Sequence, residues 1–197
     1  FFKKNNLLDI IKESEKKNPF DAGERFTDNY FLAKFIKENK VNNVLELRTG
    51  KSTYIIAECL KRYSKNPKLI SMESEKKYFD IQNKDFPFEK YNFVKTIYSQ
   101  RKLYKYSFLT GWGYEEIPSH EFDLICIDGP YTTDNDIIDE NEPSRFCFDL
   151  INVILKSKKK LSAIIFARIH TSYVSKILFA NNHDYNKVLG ITVLKNI

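Results

Sequence analysis

From Val41 onward the chain repeats one pattern: a short apolar run, a turn, then a longer segment with apolar residues at helical spacing. Residues 43–47, 68–72, 91–97, 122–127 and 161–167 read as strands, and residues 52–63, 75–83, 145–155 and 171–181 as the helices between them. Strands that are apolar along their whole length are buried on both faces, and consecutive parallel strands need a crossover helix to join them. The pattern therefore predicts an α/β fold: a doubly wound, mostly parallel sheet with helices on both faces. Residues 185–195 add a C-terminal antiparallel hairpin turning at Gly190. Upstream, Leu7, Leu8, Ile10 and Ile11 mark a short amphipathic helix over 6–17, and Pro19 and Gly23 break it. A second helix, capped by Thr27 or Asp28, carries Phe31, Leu32, Phe35 and Ile36 as its apolar stripe. Two regions follow: residues 1–40, a helical segment covering a cleft, and residues 41–197, the α/β domain.

A doubly wound sheet holds its ligand beyond the carboxyl ends of the strands, where the strand order reverses. That singles out residues 46–53, Glu73 with Ser74, and 128–131. The stretch VNNVLELRTGKSTYIIAECL contains GKST, the tail of a triphosphate loop. Such a loop needs its first glycine where Leu45 stands, inside the strand, so the turn is too short to wrap a triphosphate. A dinucleotide fingerprint needs three glycines, and Gly50 is the one present in this window.

VLELRTGKST instead resembles motif I of class I S-adenosylmethionine-dependent methyltransferases: an apolar strand, an acidic residue, then x-G-x-G, with x-S-T following in one group of families. Glu46 matches the acidic position, Gly50 the second glycine, and Ser52 and Thr53 the helix start. LISMESEKKYFD places Glu73 at the end of the second strand, where a carboxylate accepts from a ribose diol. FDLICIDGPY places Asp128 at the end of the fourth, and the run 142–166 resembles the helix and fifth strand of methyltransferases with an IDGP segment. The resemblance, from about Thr27 to the C-terminus, implies a Rossmann-like fold and S-adenosylmethionine as cofactor. It implies contacts from Glu46, Arg48, Thr49, Gly50, Ser52, Thr53, Glu73, Ser74, Trp112 and Asp128. Asp128 is the catalytic candidate, orienting a nucleophile or taking its proton. His170 is a second candidate base, against the plainer reading of a structural histidine.

Two departures stand out. Arg48 occupies the first motif glycine. It either pairs with the cofactor carboxylate, fills the pocket, or turns out to solvent, the last being the expectation. Phe166 and Ala167 end the fifth strand where related families carry acidic residues, so no catalytic metal is expected. Tyr131 reads as a pocket wall, Trp112 as an adenine cover or a loop anchor, and Arg145 as a partner of Asp149 on one helix.

The net charge of +6 comes from lysines spread along the chain rather than from one long run, which favours solvated faces over a nucleic-acid stripe. The three cysteines are far apart and form no CxxC pair, which argues against a disulfide framework and a zinc knuckle. No apolar run approaches the roughly 20 residues needed to span a bilayer. A chain beginning Phe-Phe reads as a fragment or processed product, and no signal-peptide shape opens it. The expectation is a cytoplasmic methyltransferase acting on an oxygen or nitrogen of a small molecule or sugar, with no membrane partner. Two rivals remain: a degenerate relative that binds cofactor or partner without turnover, and an RNA methyltransferase.

Overall fold

The computed structural model describes residues 8–10, 12, 14, 26–130 and 146–197. Leu8, Asp9, Ile10, Lys12 and Ser14 are helical, as expected for 6–17; the break after that helix, Tyr131 and Arg145 lie outside the described residues. Helix α1 (Phe26–Asn39) leads into β1 (Asn43–Leu47), α2 (Lys51–Tyr63), β2 (Lys68–Glu73), α3 (Lys76–Asp85) and β3 (Val94–Tyr98). A hairpin of β4 (Arg101–Tyr106) and β5 (Leu109–Tyr114) follows, then β6 (Leu124–Ile127), α4 (Asp149–Lys156), β7 (Ser162–Phe166), α5 (Ile169–Leu178), β8 (His183–Asn186) and β9 (Ile191–Leu194). Among the described residues no helix is long and apolar enough to cross a membrane.

Seven strands form one sheet in the order β3-β2-β1-β6-β7-β9-β8. From β3 to β7 neighbouring strands are parallel; β9 runs antiparallel to β7, and β8 antiparallel to β9. The chain order reverses between β1 and β6, so the crevice of a doubly wound sheet opens at the ends of these two strands.

Side chains alternate across a strand, and the two cores follow that alternation. Val44, Leu69, Leu124 and Cys126 join Leu32, Ile36, Ile55 and Cys59 of α1 and α2 on one face. Leu45, Ile70, Ile125 and Ile127 join Leu150 and Val153 of α4 on the other. Helix α1 is thus built into the core beside α2. Cys59, Cys126 and Cys147 are free thiols and buried, small core side chains as their apolar surroundings suggest.

The β4–β5 hairpin is the element that the strand-helix reading left out. It stands where a crossover helix between β3 and β6 was implied, as a separate two-stranded sheet. Its LTGWGY strand docks on 146–149. Trp112 N–H donates to Phe146 O at 2.9 Å and Phe148 N–H to Trp112 O at 2.8 Å. The flanking glycines are required by that docking: a Cβ on Gly111 would meet Phe146 O at 2.4 Å, and one on Gly113 would meet Asp149 Oδ1 at 2.5 Å. Asp149 is fully buried and accepts the Tyr114 N–H at 3.0 Å. It holds the hairpin, while its expected partner Arg145 lies outside the described residues.

Burial pushes the Asp149 carboxyl up from 3.8 to about 7, against the pull of the Tyr114 amide and Asn152. The folded protein thus holds this proton more tightly than the unfolded chain. The associated stability is fully present below about pH 4 and is lost as pH rises through about 7. Asp149→Asn keeps an oxygen for the Tyr114 amide and cannot ionise. Denaturant midpoints at pH 5 and pH 8 should fall more in the parent than in the variant; equal falls would show that Asp149 titrates normally.

Candidate functional site

Register and alternation assemble the site. Glu46 lies opposite Ser71 on β2 and Cys126 on β6, and its side chain points to the α2 face with theirs. It is 2% exposed. Ser52 Oγ donates to Oε1 at 2.6 Å, Thr53 Oγ1 to Oε2 at 2.6 Å, and Ser71 Oγ to Oε2 at 2.5 Å. Gly50 N–H in turn donates to Thr53 Oγ1 at 3.0 Å. Buried carboxylates need such donors. Of the expected cofactor contacts, Glu46, Ser52 and Thr53 therefore serve one another: they staple the first turn of α2 to β1 and β2.

Two residues beyond Ser71 on the same face of β2 stands Glu73, 1% exposed. Its Oε1 accepts the amides of Ser74 at 2.8 Å and Glu75 at 2.9 Å, just ahead of α3. Its Oε2 takes a longer bond, 3.3 Å, from the Thr49 hydroxyl. Glu73 is thus an anchored, covered carboxylate rather than an open one. Burial raises its pKa, against the pull of the two amides and Arg48. Beside it, the buried Ser74 Oγ has no hydrogen-bond partner among the described residues, an orphan that a ligand hydroxyl would satisfy.

Arg48 does not turn out to solvent. Its backbone has a positive φ of 89°, a region that a side chain enters at a cost. Its Nη1 donates to Asp128 Oδ2 at 3.3 Å, and Gly129 leaves room for it: a Cβ there would meet Arg48 Cβ at 2.8 Å. From the end of β7, Arg168 Nη2 donates to the Asp128 carbonyl and its Nε lies 3.8 Å from Asp128 Oδ1. Asp128, the expected catalytic carboxylate, is therefore held between two guanidinium groups. Burial pushes its pKa up; Arg48 and Arg168 pull it down, and the like charge of Asp28 in α1 pushes it up again.

The remaining expected residues lie apart from this cluster. His170 is exposed in the first turn of α5, and its ring makes no hydrogen bond among the described residues. The side chain that reaches Asp128 from this segment is Arg168, which the sequence reading missed. Trp112 sits on the hairpin with Arg101 over its ring at 5.7 Å, and its backbone bonds run to Phe146 and Phe148. Among the described residues no group of three or more His, Cys, Asp or Glu could hold a metal ion.

Sheet order, helices on both faces and the C-terminal hairpin give the chain a Rossmann-like α/β methyltransferase fold. Solved structures share it. A methyltransferase of Podospora anserina bound to S-adenosylhomocysteine (SAH) aligns with a TM-score of 0.57 at 14% identity, covering 98% of this chain and 88% of that one. An O-methyltransferase of Bacillus cereus in complex with SAH gives 0.51 at 15% identity, over 96% and 90%. An S-adenosylmethionine-bound O-methyltransferase of Streptomyces achromogenes, involved in tomaymycin synthesis, gives 0.54 at 11% identity, over 98% and 90%. No protein-family model and no curated protein matches the chain.

The strain at residue 48 is measurable. Arg48→Gly and Arg48→Ala both lose the bond to Asp128, but only glycine relieves the positive φ. The glycine variant should be the more stable of the two by about 1 kcal/mol in denaturant unfolding; equal stability would show that the backbone there is unstrained.

Proposed function

We propose that the protein is an S-adenosylmethionine-dependent methyltransferase acting on an oxygen or nitrogen of a small molecule or sugar. The observation that carries this is the end of β2. There a buried carboxylate keeps one weakly used oxygen, Glu73 Oε2, next to a hydroxyl without a partner among the described residues, Ser74 Oγ. Once uncovered, this pair would suit a ribose diol, and the stapled N-terminal turn of α2 a carboxylate. When bound, S-adenosylmethionine supplies an electrophilic methyl group on a sulfonium sulfur. The chain's own contribution is to align the nucleophile and exclude water. Asp128 orients the nucleophile or takes its proton after the nucleophile displaces Arg48. The first helical segments lie on the α2 side and serve as cover for the crevice.

One observation favours a second reading. Arg48 and Arg168 both engage Asp128, which suits a degenerate relative that binds cofactor without turnover. Isothermal calorimetry with S-adenosylmethionine and SAH, followed by a methyl-transfer assay, separates the two.

Both ligands should bind the parent protein. Glu73→Ala should weaken them by about 1.5–3 kcal/mol, the range for hydrogen bonds to a charged group. That is a loss of roughly tenfold to more than a hundredfold. Unchanged affinity in a folded variant would remove the ribose assignment. EDTA should leave any transfer activity intact, because β7 ends in Phe166 and Ala167; activity lost to EDTA and restored by Mg²⁺ would overturn that expectation.

A further inference from the structure

A second cavity lies at the same end of the sheet, on the far side of Arg168. The hairpin joining β8 to β9 brings Gly190 against Ala167, and α5 packs alongside, with the Thr192 hydroxyl donating to Ser172 Oγ at 2.8 Å. Between them opens a pocket of about 420 Å³, within the roughly 300–1,000 Å³ usual for small-molecule sites. Tyr173 and Tyr185 line it with exposed rings, and Arg168, Lys176, Lys187 and His183 with nitrogen. Among the described residues no carboxylate lines it. Lys176 and Lys187 make no ion pair among the described residues, whereas Arg168 is committed to Asp128.

A pocket whose described lining carries only positive formal charges, with aromatic walls and two ammonium groups that make no ion pair among the described residues, selects for a flat anion. We infer that this pocket receives the anionic group of an aromatic acceptor, a carboxylate or phosphate ester, and that Arg168 links its occupancy to Asp128. The inference rests on the methyl-transfer reading for the word acceptor, but not for the binding itself. Lys176 and Lys187 are the specificity residues. They lie on α5 and on the hairpin tip, clear of the Glu46 and Glu73 network, so their loss should leave that network intact.

The test is titration of the protein with 4-hydroxybenzoate, phenyl phosphate and the uncharged 4-hydroxybenzyl alcohol, by calorimetry. SAH is titrated separately. At least one anion should bind about tenfold more tightly than the alcohol. Lys176→Ala/Lys187→Ala should abolish that preference, while Lys65→Ala/Lys158→Ala, at the amino ends of the strands, should retain it. Circular dichroism checks both folds. The inference is overturned if neither anion binds, if the alcohol binds equally well, or if the Lys176/Lys187 variant keeps the preference. If the anion binds through the lysines and SAH does not bind, the pocket stands and the methyl-transfer reading falls. If SAH binds and neither anion does, the methyl-transfer reading stands and this assignment falls.

Discussion

Glu46 is a buried carboxylate in the middle of the sheet, and three hydroxyls make it tolerable there. Ser52 and Thr53 come from the first turn of α2 and Ser71 from β2. Burying an ionised group without donors costs several kcal/mol, so these three elements are committed to a single arrangement. The turn between β1 and α2 takes its shape from that commitment, because Gly50 N–H is held by the same Thr53 oxygen that serves Glu46. Thr49 then points its hydroxyl to Glu73. One carboxylate thus organises the turn, and the turn reaches a second carboxylate at the end of the neighbouring strand.

The ends of β1, β6 and β7 are governed by a different balance. Arg48 is held in a backbone conformation suited to glycine, and its guanidinium lies on Asp128. Arg168 approaches the same aspartate from β7 and adds a bond to its carbonyl. Burial alone would favour a protonated Asp128; the two cations favour the carboxylate. An aspartate in this position is ordered in advance, and under the proposed methyl-transfer reading an incoming nucleophile would have to compete with Arg48 for it.

Much of this architecture was legible in the sequence. The parallel strands are apolar along their length because both faces are covered, so the bounds of β1, 43–47, follow from composition. Glu46, Glu73 and Asp128 stand out as acidic residues closing apolar runs. What was not legible depends on distant partners. The β4–β5 hairpin carries polar and aromatic residues on exposed faces, and its G-W-G spacing has meaning only against Phe146 and Asp149. Arg168 meets Asp128 across 40 residues and Arg48 meets it across 80, and no local pattern marks either pair. The role of Glu46 had a local signal, Ser52 and Thr53 just after it, but the third hydroxyl, Ser71, appears only through strand register.

The central proposal is that the cofactor binds between the α2 turn and the end of β2. Titration of ¹⁵N-labelled protein with SAH, followed by amide chemical shifts, tests it directly. The account predicts saturable shifts concentrated at Arg48 to Thr53 and Glu73 to Glu75, with little change at Lys65 or Lys158 on the opposite end of the sheet. Saturable shifts elsewhere that leave these two segments unmoved, or no shifts at all, would contradict it.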